Sequence, residues 1–321
     1  MEGTVAVRSA VLFLVFNRPD ATRTAFASIR RARPPRLYVA ADGPRADRVG
    51  EDQRCAEARA IATAVDWPCQ VQTLFRGGNL GCKRAVAGGI DWFFANEEEG
   101  IILEDDVEAE PTFFTYCDEL LERYRSTPEV MMISANHFHG SDYRPPTSYS
   151  FSRYTHIWGW ASWRRAWRRY DALMSGWPAA KASGVMMRIG DGDRDFVRYW
   201  TTMFDLTHTG RIDTWDYQWL FATMLHGGLS VTPSRNLARN IGFSPDATHT
   251  TDVSDPGANL PLEALGFPLL HPVNVVRDTV GDDWEDHHML SLHAPRPTRL
   301  QQLVGALRLR FLMRSLSSRK R

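Results

Sequence analysis

A chain of 321 residues with 43% hydrophobic and 24% charged residues holds enough apolar material for one large domain or two modest ones, and nothing in it suggests disorder. Its 38 basic and 38 acidic residues cancel, which removes the electrostatic footprint of a nucleic-acid-binding protein. The four cysteines, Cys55, Cys69, Cys82 and Cys117, form no C-x-x-C pair, so neither a disulfide scaffold nor a zinc site is expected, and a reducing cytoplasm is the simplest setting.

The first apolar run, Ala10 to Phe16, is too short for the roughly 20 residues that span a bilayer, and no small-residue cleavage site follows it. It reads as a buried strand, stopped by Asn17-Arg18-Pro19 and followed by a helix to Arg31 with apolar positions at Ala21, Ala25 and Ile29. A second strand, Leu37 to Ala41, ends in the turn Asp42-Gly43-Pro44, and an alanine-rich helix from Glu51 to Val65 leads to a third strand, Val71 to Phe75. Gly77-Gly78-Asn79-Leu80-Gly81 opens a helix to about Asn96, and the strand Ile101 to Leu103 runs directly into Glu104-Asp105-Asp106. The alternation predicts an α/β protein with a mostly parallel sheet covered by helices on both faces. Past a helix from Pro111 to Arg125 and a strand at Val130 to Ser134, a stretch rich in Trp, Tyr, Arg and His begins a second half that is expected to pack on the same sheet. The division is thus 8–110, 111–280 and a tail over 296–321, with no repeat and no low-complexity linker.

Open parallel sheets bind ligands at the carboxyl ends of their strands, and Asn17-Arg18, Asp42-Gly43, Arg76 and the three acids all fall at such ends. Adjacent carboxylates repel one another unless a cation sits with them, and hard oxygen donors suit magnesium or manganese, which keep water and bridge to phosphates. A solvated acidic turn is the plain alternative. Leu103 to Val107 with Pro111 and Phe113-Phe114 resembles the metal-binding strand end of GT-A glycosyltransferases, being similar to N-acetylglucosaminyltransferase I and to bacterial family-two-like transferases. Asn79-x-Gly81 with Gly88-Gly89-Ile90, Trp158-Gly159-Trp160 with Trp163, Thr214 to Trp219, and Asn240 to Phe243 leading to His249 resemble further segments of that group in its order, over about residues 10 to 250. The family often has Asp where Glu104 stands.

The resemblance implies a nucleotide diphosphate sugar as donor, a Mn2+ or Mg2+ cofactor held by Asp106, and Glu104 and Asp105 on sugar and ribose hydroxyls. Arg18, Asp42 and Arg76, with Asn17, Asn79 and Lys83 beside them, would hold the nucleotide, since guanidinium groups suit phosphates. Asp216, set among Trp215, Tyr217 and Trp219, is the candidate base for an inverting transfer, and either it or Asp213 also suits a helix cap. His249 is a candidate metal or phosphate ligand against the ordinary structural reading. His137-x-His139 and His287-His288 lack ligand spacing and stay unassigned. Of the tryptophans between Tyr154 and Tyr170 most are expected in the core, while Trp158 and Trp160, beside Gly159, are candidates to stack on an acceptor sugar.

The tail 296–321 has no acidic residue and places Leu300, Leu303, Val304, Leu307 and Phe311 on one helical face, a pattern open to two readings: a helix packed on the domain, or one lying on an anionic membrane near a carbohydrate, lipid-linked or small-molecule acceptor. A sugar-1-phosphate nucleotidyltransferase is the competing enzyme, but the turn after the first strand lacks its Gly-rich loop. A non-catalytic carbohydrate-binding protein of the same fold is the competing non-enzyme.

Overall fold

The computed structural model describes residues 7–242 and 260–293. Its first half follows the apolar runs closely: β1 (Val11–Val15), α1 (Pro19–Ala32), β2 (Arg36–Ala41), α2 (Glu51–Ala62), β3 (Gln70–Phe75), α3 (Cys82–Asn96), β4 (Glu99–Glu104), the short β5 (Val107–Ala109) and α4 (Thr112–Tyr124). The second half contributes β6 (Val130–Ser134), β7 (Tyr149–Ser152), β8 (Trp160–Trp163), α5 (Arg164–Trp167), α6 (Trp177–Ala182), α7 (Val185–Ile189), α8 (Arg194–His208), α9 (Asp216–Leu225), β9 (Leu229–Pro233), β10 (Ala238–Asn240) and α10 (Thr279–His288).

One eight-stranded sheet carries both halves in the order β3-β2-β1-β4-β8-β6-β9-β7, and β5 pairs with β10 apart from it. β1 is buried over its whole length because helices cover both of its faces, which is why its sequence is continuous Val, Leu and Phe and does not alternate. It lies between β2 and β4, parallel to each, with Val11 opposite Leu37 and Ile101. The strand order therefore reverses at the β1–β4 boundary, where an open α/β sheet leaves a crevice at its carboxyl edge. β8 enters antiparallel between β4 and β6, so the second half joins the same sheet.

Trp160 of β8, Trp167, Trp215 and Trp219 form the core beneath this join, Trp160 stacking on Trp215 with ring centroids 5.9 Å apart and Trp167 meeting Trp219 at 5.2 Å. Trp160 and Trp219 are fully buried. On the far side α10 docks through an acidic face: Asp282, Glu285 and Asp286, three and four residues apart, are all buried. Arg153 bonds Asp286, the Ser152 hydroxyl donates to Asp282 at 2.6 Å, and Glu285 lies 3.1 Å from His156 Nε2 and 3.7 Å from that of His139.

His137 and His139 form the layer against which this region packs, 5.0 Å apart between ring centroids. Burial first, then the neighbouring His139, pushes the His137 pKa down to about 4. From pH 6.5 downward the unfolded chain binds a proton that the folded chain refuses, so this group's contribution is complete above pH 6.5 and is lost as pH falls toward 4. Asp282, raised by burial to about 7, titrates with the opposite sign, so a comparison with a variant isolates the histidine. His137→Gln keeps a donor for the Tyr143 carbonyl, and urea titrations should find it gaining on the parent by an amount on the order of 3 kcal/mol between pH 6.5 and 4.

Candidate functional site

At the reversal point a crevice of about 350 Å³ opens between the ends of β1, β2 and β4 and the start of α3. Phe16, Arg18, Arg45, Glu104 and Asp105 line it, with Asp42, Asn79, Gly81 and Cys82 on the wall toward α3 and Asp213 at its edge. β4 delivers the acids: Asp105 is almost fully buried, accepts the Phe16 amide at 2.9 Å and takes Arg18 Nη2 at 2.6 Å. Asp106 binds Arg18 Nη1 at 2.9 Å, so one guanidinium straddles both carboxylates. Burial works against the Arg18 charge, but Asp105, Asp106 and Glu104 outweigh it and hold the guanidinium more firmly protonated than usual. Burial, then Asp106 and Asp105, pushes the Glu104 pKa up, and burial does the same to Asp105 against the pull of Arg18. Cys82 is pushed up to about 12 by burial and by Glu104, Asp216, Asp213 and Asp106, which marks how closely these carboxylates converge.

Three carboxylates against one guanidinium leave an anionic excess. Among the described residues no group of three or more His, Cys, Asp or Glu side chains is arranged to hold a metal ion, and the Arg18 guanidinium bridges Asp105 and Asp106. Glu104 and Asp105, which line the crevice, offer hard carboxylate oxygens, the donor type that magnesium and manganese take together with water and phosphate oxygens.

The wall toward α3 is built by Asp42. Its carboxylate accepts the Gly43, Leu80 and Gly81 amides and the Asn79 side-chain amide at 2.8 Å, tying the β2 and β3 loops together. Gly43 approaches Gly78 so closely that a Cβ on it would lie 2.5 Å from the Gly78 backbone. Asp42 and Asn79 thus hold the loops that line the crevice. Asn17 gives its amide to the buried Glu51 at 2.7 Å, and Glu51 also holds Arg45, which lies over the Phe16 ring.

A second cavity of about 370 Å³ lies on the other side of Asp216, walled by Phe138, Tyr154, Trp158, Tyr199 and Tyr217, with His156 and Glu285 toward α10. Asp216 is the first residue of α9, and its Oδ1 accepts the Thr214 hydroxyl. It lines this cavity, and its charge also acts on Glu104 and Cys82 at the crevice, whose own edge is held by Asp213.

Several placements differ from the sequence expectation. Trp160 is sealed in the tryptophan core, so no face of it is open to a sugar, and Gly159, at φ +79°, packs on Leu103, Ala135 and Ala238, leaving Trp158 as the only one of the three that lines a cavity. Arg76 lies over Gly88 of α3 and outside the crevice lining, because β3 is the exposed sheet edge. Lys83 lines a separate hollow with Leu80, Leu173 and Asp213. Asp106 faces Arg18 beneath Gly242 and outside the crevice lining, whereas Glu104 and Asp105 form part of it. His249 and the 296–321 tail fall outside the described residues. The sequence reading passed over Arg45 and Glu51; the Asp42-to-Glu51 loop, rich in Arg and Asp, was the available signal.

No protein-family model matches this chain, and no curated protein does. Solved structures with a partly similar trace include the glycosyltransferase GlyE of Streptococcus pneumoniae TIGR4, at 10% identity over 70% of this chain and 45% of that one, TM-score 0.35. Mouse xyloside xylosyltransferase 1 matches at 12% identity over 70% of this chain and 84% of its own, TM-score 0.33. A UDP-glucose pyrophosphorylase complexed with UDP-glucose matches at 11% over 39% and 56%, TM-score 0.25. The chain therefore spans about half the length of GlyE and of the pyrophosphorylase. Likenesses this partial bear on chain trace only and assign no activity.

Gly242 caps the Asp106–Arg18 pair: a Cβ there would lie 2.3 Å from Asp106 Oδ2 and 2.8 Å from Arg18 Nη1. Gly242→Ala should lower stability by about 1–3 kcal/mol through overpacking, whereas Gly266→Ala, with open space around it, should be near neutral; urea unfolding of the two variants checks this.

Proposed function

We propose that this chain is a metal-dependent glycosyltransferase that moves a sugar from a nucleotide diphosphate donor, a UDP-sugar in the first instance, to an acceptor hydroxyl with inversion. The reading rests on one observation: Glu104 and Asp105 line a crevice at the reversal point of the sheet, Arg18 there bridges Asp105 to Asp106, and Asp213, three residues before Asp216, stands at the crevice edge. The order of motifs from Leu103 to Asp216 supports the same activity.

In this reading Arg18 and Arg45 hold the donor's phosphates, since both guanidiniums line the crevice and both are kept in place by buried carboxylates. Glu104 and Asp105 orient donor hydroxyls, with Asp106 completing the acidic cluster. Bound there, Mn2+ or Mg2+ would supply Lewis-acid stabilisation of the diphosphate leaving group, a contribution worth several kcal/mol. The Phe16 ring, under Arg45, offers a flat apolar surface for the base. Asp216 accepts the proton of the acceptor hydroxyl, and the Thr214 hydroxyl bonded to it fixes its orientation. A single base acting from the face opposite the leaving group gives inversion. The sugar transferred in this reading is of the hexosyl or N-acetylhexosaminyl type.

The basic amphipathic pattern over 296–321 supports docking on the inner, anionic face of a membrane, where a polysaccharide precursor or other lipid-linked acceptor would lie. Among the described residues no helix is long and apolar enough to cross a membrane. Co-sedimentation with anionic liposomes should be lost when the chain ends at Pro297, and equal binding by both forms would remove this part of the proposal.

A panel of UDP-, GDP- and TDP-sugars with manganese should reveal the donor by thermal shift, a ligand at 100 times its Kd adding roughly 2.7 kcal/mol of stability. Asp216→Asn should keep that shift and lose about 10²- to 10⁴-fold in transfer, read as release of nucleoside diphosphate. Near-normal turnover of the variant would discard Asp216 as the base. Release of pyrophosphate from a nucleoside triphosphate and a sugar phosphate would instead establish the nucleotidyltransferase.

A further inference from the structure

Resting on that reading, the charge of the second cavity says which acceptors it admits. The crevice that receives the donor carries Arg18 and Arg45 in its lining, as phosphates require. On the other side of Asp216 the sign is reversed. Among the described residues lining the second cavity there is no Lys or Arg, while Asp216 and Glu285 are both present. Arg153, the nearest guanidinium to α10, bonds Asp286 and lies 3.8 Å from Asp282, so it is engaged behind the wall. The single basic group in the lining, His156, is paired with Glu285 at 3.1 Å, and Glu285 is also the carboxylate nearest His139. Whether His156 carries a proton or not, the lining stays net negative, because Asp216 has no cationic partner there. The remaining walls are rings, with Phe138 edge-on to both His156 and Trp158 at 4.7 and 5.5 Å, and Tyr199 and Tyr217 opposite.

We infer that the second cavity is an acceptor site selective for sugars that bear hydroxyl or amino groups and carry no carboxylate or phosphate. Flat apolar sugar faces pack on the rings, and hydroxyl or ammonium groups donate to Asp216 and Glu285. A ligand carboxylate in the same space meets two like charges in a partly desolvated setting, which weakens binding by about tenfold to a hundredfold. The cavity's volume of about 370 Å³ is at the small end of ligand pockets, enough for one or two pyranose rings.

The test uses methyl glycosides of the gluco, galacto and manno series, each with a hydroxyl, an amine or a carboxylate at C6, titrated into the full chain and read by saturation-transfer NMR and tryptophan fluorescence. In the series that binds, the hydroxyl and amino forms should bind at least tenfold more tightly than the carboxylate. Met289, at the rim and exposed, can be replaced by a cation without disturbing the core, so Met289→Arg should bring the carboxylate form to within about threefold of the hydroxyl form. Equal binding of all three forms by the parent, or no binding of any glycoside in any series, overturns the inference. These readouts need neither donor nor turnover, so a failed nucleotide-sugar panel with intact glycoside selectivity would sink the transferase reading alone.

Discussion

The arrangement depends on one guanidinium. Asp105 and Asp106 stand where β4 leaves the sheet, nearly out of solvent, and two buried carboxylates side by side are tolerable only with a cation against them. Arg18 provides it from the end of β1, contributed by the neighbouring parallel strand. Its position is fixed in turn by Pro19, which starts α1 immediately after it, and by the Thr22 hydroxyl and amide on the Arg18 carbonyl. The same bridge closes the top of the sheet: Gly242 passes over it, and the Ile241 amide bonds the Asp106 carbonyl at 2.7 Å, continuing the β5–β10 pairing. The ion pair and the crevice wall therefore share Arg18 and Asp105, and the third carboxylate, Glu104, is the group left without its own cation.

The opposite wall follows a different logic. Asp42 is saturated by backbone and side-chain donors, so its carboxylate acts as a knot between two loops and leaves little capacity for a ligand. That knot requires Gly43 to touch Gly78 through their backbones, a contact any side chain would block. The strand-end position of Asp42 and Asn79, which puts both in the crevice lining, is legible in the sequence, while the number of local donors around the carboxylate is not.

The alternation of apolar strands and helices in the first half was legible because the inner parallel strands β1, β2 and β4 are largely buried and carry apolar runs. The second half was harder: β7 and β8 are aromatic and only four residues long, and their pairing is antiparallel and non-local. Trp160 illustrates the limit. An indole packs equally well in a core or under a sugar, and only the presence of Trp167, Trp215 and Trp219 around it decides the matter. The acidic face of α10 is not legible in the sequence for a related reason: the burial of Asp282, Glu285 and Asp286 depends on Arg153 and His156 from more than 125 residues away.

Asp216 joins these two halves in a single electrostatic gradient. Its charge adds to the acidic cluster at Glu104, while in the second cavity it stands among aromatic rings and the His156–Glu285 pair. The placement of α9 sets this boundary, and Trp215 and Trp219 anchor its first turns in the tryptophan core. Packing in the core thus fixes where Asp216 stands, so a change that loosens those indoles would shift the carboxylate in the wall of the cavity it lines.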